Sequence, residues 1–274
     1  MNKKIKSFAF SGLLASLVFS VASFASEPSK LEQVVAAKHR TASYAERDAF
    51  RHPVETLSFF GLKDDMTVVE ISPGGGWYTE ILAPYLRDNG TYIAAGYDPK
   101  SKSDYYSKNA KKFMAKLEAN PELYDKTVMT IMEAPDKLDI AEAGSADMVL
   151  SFRNTHNWHR RGYAASVYAA AFKALKPGGV FGVVQHRAGD KHPADTSGKL
   201  GYLKQDEVIK LAEDAGFKLA ATSEINANPK DVKNYDKGVW TLPPVYRMGD
   251  QDKEKFQAIG ESDRMTLKFI KPKN

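Results

Sequence analysis

The chain has 274 residues, 43% of them hydrophobic, and a formal net charge of +5, a length that fits one large domain or two small ones. With 14 Phe, 13 Tyr and 3 Trp it can build a sizeable core, which excludes a disordered chain, and it has no sustained heptad, collagen period or internal repeat. The absence of cysteine excludes disulfide scaffolds, thiol catalysis, thiolate zinc sites and iron–sulfur clusters.

Lys3, Lys4 and Lys6 open the chain, and an uncharged run from Ser7 to Ser26 rich in Phe, Leu and Val follows. That order is the pattern of a secretory signal, with Ser23 and Ala25 as the small residues before the cut and Glu27-Pro28-Ser29 starting a polar segment. Residues 1–25 are therefore expected to be a signal peptide cleaved after Ala25, leaving residues 26–274 as a single domain, periplasmic or secreted. The competing reading is an uncleaved membrane anchor, although serines and a glycine interrupt the apolar run. No stable membrane insertion is expected after cleavage. The three signal lysines belong to the 39 Lys+Arg, so the remainder is nearly balanced against 34 Asp+Glu. The remaining basic residues are scattered, and no nucleic acid is expected as a partner.

Leu31, Val34, Val35 and Ala37 recur at helix spacing, as do Phe50, Val54, Leu57, Phe59 and Phe60 further on. Pro53 suits the first turn of a second helix, which Gly61 ends. Met66 to Ile71 is a short β-branched strand that stops at Pro73-Gly74-Gly75-Gly76. Helical spacing resumes from Tyr78 to Leu86, Asn89-Gly90 turns the chain, and Thr91 to Ala95 is a second strand, completing a βαβ unit. A helix from Tyr105 to Leu117 carries Lys108, Lys111, Lys112 and Lys116 as one solvated face. Val128 to Met132 and Ala146 to Ser151 are the third and fourth strands. A helix from Ala164 to Leu175 ends at Lys176-Pro177-Gly178-Gly179, before a fifth strand from Val180 to Val184. The helix Lys204 to Ala215 leads through Gly216 to a sixth strand, Phe217 to Thr222, and Met265 to Ile270 is a seventh. Strands alternating with helices predict an α/β fold whose parallel sheet is covered on both faces. Residues 226–263, between the last two strands, form a long charged stretch with Pro229, Pro243 and Pro244, and such a stretch is usually functional or flexible.

Candidate chemistry falls where a doubly wound sheet puts its site, at the carboxyl ends of successive strands. The run from Val68 to Thr79 is strand, glycine loop and helix start, whose backbone N–H groups suit a carboxylate or phosphate. A plain tight turn accounts for the glycines equally well. Asp98 follows strand two, where a carboxylate accepts both hydroxyls of a ribose, or simply forms an Asp-Pro turn. Glu133 follows strand three and either meets an adenine edge or is a solvated loop residue. Phe152-Arg153-Asn154-Thr155-His156-Asn157-Trp158-His159 follows strand four and is unusually rich in functional side chains for a connector.

This combination resembles the class I S-adenosylmethionine-dependent methyltransferases over about Asp48 to Pro272. The resemblance rests on the Glu70 to Gly76 loop, Asp98, Ala146-Asp147-Met148-Val149-Leu150, and Leu175-Lys176-Pro177-Gly178-Gly179. Arg47-Asp48, Arg51-His52-Pro53, the run from Pro73 to Pro84 and Phe152-Arg153-Asn154 look like those of predicted, often exported bacterial methyltransferases. The resemblance implies a doubly wound, mostly parallel, Rossmann-like sheet of seven strands, with strand seven inserted antiparallel beside strand five. It implies S-adenosyl-L-methionine as cofactor, with Glu70, Ser72, Gly74, Gly75 and Gly76 around its methionine part, Asp98 on the ribose and Glu133 near the adenine. Ser72 stands where many members have a first glycine, and Glu133-Ala134-Pro135 departs from the commoner acidic-small pattern.

In this fold residues 226–263 cover the acceptor side, so Trp240 and Tyr246 either line an acceptor pocket or anchor the loop to the core. Arg153, Asn154, Asn157 and Trp158 are the other acceptor-binding candidates. The Arg47 to His52 stretch is placed to cap the cofactor, with Arg51 or His52 either functional or part of a solvated helix face. Methyl transfer needs alignment more than a base. If the acceptor has a proton to lose, His156 or His186 is the catalytic candidate, since imidazole titrates near working pH. His156, His159, His186 and His192 invite a metal reading, but no HExxH occurs and no metal is expected. The expected function is methyl transfer to a small-molecule acceptor. The alternatives are an exported non-catalytic binding protein on the same fold and a nicotinamide oxidoreductase, the latter opposed by Thr79 where G-x-G-x-x-G has its last glycine.

Overall fold

The computed structural model describes Met1, residues 27–189 and residues 197–273. Apart from Met1, the expected signal segment with its cut after Ala25 lies outside the described residues, as does His192. The β-branched runs form seven strands: β1 (Thr67–Ile71), β2 (Thr91–Gly96), β3 (Val128–Ile131), β4 (Ala146–Phe152), β5 (Leu175–His186), β6 (Lys218–Ser223) and β7 (Arg264–Ile270). They make one sheet in the order β3-β2-β1-β4-β5-β7-β6. From β3 to β5 neighbours are parallel, and β7 runs antiparallel between β5 and β6. The antiparallel insertion expected beside strand five is therefore present.

The helices are α1 (Lys30–Val35), α2 (Ala42–Ala45), α3 (Asp48–Arg51), α4 (Pro53–Phe60), α5 (Thr79–Leu86), α6 (Asp104–Glu118), α7 (Pro121–Tyr124), α8 (Thr155–Arg160), α9 (Ala164–Ala174), α10 (Gln205–Asp214) and α11 (Lys253–Ile259). Among the described residues no helix is long and apolar enough to cross a membrane. Successive strand residues point to opposite faces. Val69, Ile71, Val149 and Phe181 pack with Tyr168 of α9 and Val208 of α10 on one side. Val68, Met148 and Leu150 pack with Leu57 and Phe60 of α4 and Ile81 and Leu82 of α5 on the other. Burial on both faces is why these strands read as continuous apolar runs.

Four local expectations change. Lys176-Pro177-Gly178-Gly179 lies within β5, because Leu175 already pairs with Ala146 and the register shifts before Met148 meets Val180. Gly178 has φ 83° at this irregularity, and its N–H bonds the Lys271 carbonyl at 2.8 Å. The octapeptide after β4 carries a helix, α8, whose buried face is Thr155, His156 and Trp158. Residues 226–263 are not structureless: they hold a 3-10 turn, Gly238–Thr241, and α11, around an apolar cluster of Tyr235, Leu242 and Phe256. The first helical stretch is broken into α1 to α4, with His52 at φ 41° turning α3 into α4 and Pro53 in the first turn of α4.

Candidate active site

The strand order reverses between β1 and β4, and the site lies at their carboxyl ends. Ser72 leaves β1 at φ 55°, and Arg153 leaves β4 at φ 60°. Neither residue is glycine, so each holds an unfavourable left-handed backbone, the kind of strain that gathers at functional sites. The Ser72 N–H bonds the Ala95 carbonyl at 2.8 Å, and the Arg153 N–H bonds the Val184 carbonyl at 2.7 Å, so neighbouring strands fix both turns. The N-terminal segment lies over the glycine loop: Tyr44 donates its hydroxyl to the Gly75 carbonyl at 3.0 Å, and Trp77 donates Nε1 to the Tyr44 carbonyl at 3.0 Å. A Cβ on Gly75 would stand 2.6 Å from the Tyr44 hydroxyl, so a larger residue here would have to displace the Tyr44 ring.

Two adjoining cavities open here. The smaller, ≈ 280 Å³, lies between the β1 loop, α3 and the ends of β4 and β5, and is lined among others by Arg47, Arg51, Glu70, Arg153, His156 and His186. The larger, ≈ 420 Å³, lies beyond β2 and β3 and is lined among others by Tyr97, Tyr106, Glu133, Trp158 and Arg161. Asn154, Asn157 and Trp240 stand in the walls of both. In the larger cavity the Tyr97 and Tyr106 rings stack at 4.2 Å. Glu133 Oε1 accepts from Ser101 Oγ at 2.7 Å, and its Oε2 is buried without a hydrogen-bond partner.

Burial shifts Glu70, His156 and His186 in the smaller cavity. Glu70 accepts from the Tyr92 hydroxyl at 2.6 Å and the Thr79 hydroxyl at 3.4 Å, yet desolvation pushes its carboxyl up to about 7. His156 donates Nδ1–H to Gln185 Oε1 at 3.3 Å, the Gln185 amide being oriented by its own bond to the Gly201 carbonyl at 2.9 Å. Burial pushes His156 down to about 4. His186, with Nδ1 2.6 Å from Ser262 Oγ, is pushed well below the usual histidine range by burial and by His156. The expectation that these imidazoles titrate near neutral pH is therefore corrected: desolvation and neighbouring cations keep both uncharged.

Arg51 is 2% exposed. Of its two readings the solvated helix face is excluded, because α3 turns this residue inward under Trp77, whose ring lies 4.7 Å from its guanidinium carbon. Its Nε bonds Glu261 Oε2 at 3.2 Å, while Nη1 and Nη2 are buried without partners. Glu261 also accepts from Arg47 Nε at 2.6 Å and Arg264 Nη1 at 3.0 Å. These cations and Arg153 hold its carboxyl down at about 2 against the effect of burial.

Asp98, Gly76 and Tyr246 stand apart from both walls, and Trp158 from one. Asp98 lines neither cavity: Lys100 N–H bonds its Oδ1 at 2.7 Å and Lys137 Nζ bonds its Oδ2. Lys137 and the Lys100 backbone hold this carboxyl below its usual range. Gly76 faces α6, where an added Cβ would meet Phe113 and Lys116. Tyr246 packs against the Tyr235 cluster with Lys253 5.7 Å from its ring centroid. Trp158 lines only the larger cavity. Among the described residues no group of three or more His, Asp or Glu side chains is placed to hold a metal ion. Tyr97, Tyr106, Arg161 and Tyr44 escaped sequence reasoning, since no motif marks them and only the fold converges them.

No family model matches the chain, and no curated protein matches it. Solved structures do. A SAM-dependent methyltransferase from Aquifex aeolicus is 15% identical, with 85% of this chain and 95% of that one covered at TM-score 0.55. An O-methyltransferase family protein from Burkholderia thailandensis is 17% identical, covering 84% of this chain and 57% of that one at TM-score 0.52. The [4+2]-cyclase SpnF is 12% identical, covering 87% of this chain and 86% of that one at TM-score 0.55. With the strand order above, these likenesses establish the class I methyltransferase, Rossmann-like fold.

Proposed function

We propose that this chain is a methyltransferase that uses S-adenosyl-L-methionine on a small-molecule acceptor and works outside the cytoplasm. The observation that carries the reading is the pair of cavities meeting at Asn154, Asn157 and Trp240, one at the glycine loop and one at the ends of β2 and β3. The methionine end of the cofactor suits the Glu70 to Gly75 wall, and its adenine suits the tyrosine-lined cavity, where the unpartnered Glu133 Oε2 is free to accept a hydrogen bond. The ribose role of Asp98 requires the half-exposed Lys137 side chain to swing away.

When bound, the cofactor supplies a methyl group on a sulfonium, transferred by in-line displacement. The chain's task is to align the acceptor with that methyl and exclude water. Asn154, Asn157 and Trp240, at the junction of the cavities, hold the two reactants in line. His156 keeps its proton on Nδ1 through Gln185, so Nε2 is the acceptor nitrogen. With its acidity near 4 it orients an acceptor hydroxyl or amine by a hydrogen bond and holds a proton only in passing. His186, steadied by Ser262, fixes the cavity floor beside it.

Calorimetric titration with S-adenosylmethionine, S-adenosylhomocysteine and NAD tests the reading, and micromolar binding of the first two but not NAD is expected. A folded protein that binds neither sulfur nucleoside overturns it; binding without turnover across an acceptor screen favours a non-catalytic binding protein. Export is tested by recovering the periplasmic form and finding that it begins at Ser26.

A further inference from the structure

We propose that the smaller cavity binds an anionic group of the methyl acceptor, a carboxylate or a phosphate, on the guanidinium groups of Arg51 and Arg47. The inference rests on the methyltransferase reading and names the class of acceptor.

Arg51 is the central observation. A side chain 2% exposed has only its Nε hydrogen-bonded, to Glu261; both of its terminal nitrogens are buried without a partner, and the residue belongs to the cavity wall. Arg47 repeats the pattern, with Nε on Glu261 and Nη2 buried without a partner in the same wall. Buried donors of this kind are seldom left unmade in native proteins, so a ligand that accepts from them is the economical account. The Trp77 ring 4.7 Å from the Arg51 guanidinium fixes its plane, and a fixed planar fork suits two oxygens of a carboxylate or phosphate.

The charge balance points the same way. Arg47, Arg51, Arg153 and Arg264 surround the single carboxylate of Glu261. Glu70 is the only acidic side chain in the cavity wall among the described residues, and its desolvated carboxyl is largely protonated below neutral pH. The two histidines on the wall are uncharged. A cation cluster this dense, partly closed from water, favours an anion strongly.

Position assigns the anion to the acceptor. The cofactor's own carboxylate belongs, on the methyltransferase reading, at the glycine loop after β1. Arg47 and Arg51 are instead anchored on Glu261, three residues before β7 and beside β5, on the half of the sheet away from β2 and β3.

The test is calorimetric titration of inorganic phosphate, at constant ionic strength, into protein saturated with S-adenosylhomocysteine. The loaded protein is expected to bind phosphate saturably, and Arg47→Gln and Arg51→Lys to weaken that binding at least about tenfold while S-adenosylhomocysteine affinity changes less than about threefold. Arg47 is the less buried of the two, so its variant keeps the test open if Arg51→Lys fails to fold. Phosphate that binds only when the nucleoside is absent belongs to the cofactor's carboxylate place and overturns the assignment. So does a folded, loaded protein that binds no phosphate, or binding indifferent to both variants. Failure of S-adenosylhomocysteine itself to bind is read in a separate titration; it overturns the methyltransferase reading and the acceptor assignment with it.

Discussion

Asn154 Nδ2 donates to the main-chain oxygen of Ser72 at 3.2 Å, so the residue after one left-handed turn holds the other. Ser72 and Arg153 end adjacent strands, and this bond is a side-chain tie between the two turns across the mouth of the site. Removing the tie in Asn154→Ala is expected to cost about 1 kcal/mol in urea unfolding and to weaken S-adenosylhomocysteine binding severalfold. Unchanged affinity would show that the turns hold themselves.

Ser72 itself carries a second expectation. At φ 55° a side chain costs roughly 1–2 kcal/mol, which Ser72→Gly relieves while adding unfolded-chain entropy of similar size. Denaturant unfolding should place Ser72→Gly within about 1 kcal/mol of the parent and Ser72→Val at least about 2 kcal/mol below it.

Glu70 ties stability to pH. Its folded-state pKa, about 7, lies above the ordinary 4.5, so the folded protein holds this proton more tightly than the unfolded chain. The resulting stability is full below pH 4.5 and is lost as pH rises through 7. His156, held at about 4, acts in the opposite sense, contributing stability above its unfolded value of 6.5 that is lost as pH falls toward 4. The two windows overlap, so the informative quantity is the difference between Glu70→Gln and the parent. That difference should move in favour of the variant by up to about 3 kcal/mol between pH 4.5 and pH 8 in chemical unfolding.

The histidine shift also predicts a spectrum. With its pKa near 4, the His156 ring should show no titration in proton–nitrogen spectra between pH 5.5 and pH 8. A midpoint near 6.5 would mean that the site is wetter than its burial implies.

Lys137 competes for Asp98. Replacing it in Lys137→Met frees the carboxylate, and S-adenosylhomocysteine should bind a few times more tightly, whereas Asp98→Ala should weaken it. Calorimetry on the pair decides whether Asp98 serves the ribose or only its own turn.

The parts of the fold legible in sequence were those with a strong local period. Val68 and Val69 announce β1, Pro53 and Gly61 bracket α4, and the alternation of such runs implies the wound sheet. Less legible were elements whose cause is tertiary. His156 and Trp158 sit on a short helix because its buried face packs under the Trp240 segment and α9, a fact that eight polar-rich letters do not carry. The burial of Arg51 is not legible because its partner Glu261 is 210 positions away. Asp98 is legible as a carboxylate at a strand end, but the lysine that occupies it arrives from the far side of β3. Local chemistry is written locally, and pairing across the sheet is not.

The Arg51 to Glu261 pairing spans almost the whole described chain, and Glu261 immediately precedes β7, which hydrogen-bonds on both of its edges. The seventh strand in chain order is thus an interior member of the sheet, and the carboxylate that gathers the arginines lies just ahead of it. A chain cut short before residue 261 loses the wall that concentrates positive charge as well as the strand joining β5 to β6. The charged cavity is therefore complete only in a sheet that β7 has joined, and its arginines are gathered by the same segment that links β5 to β6.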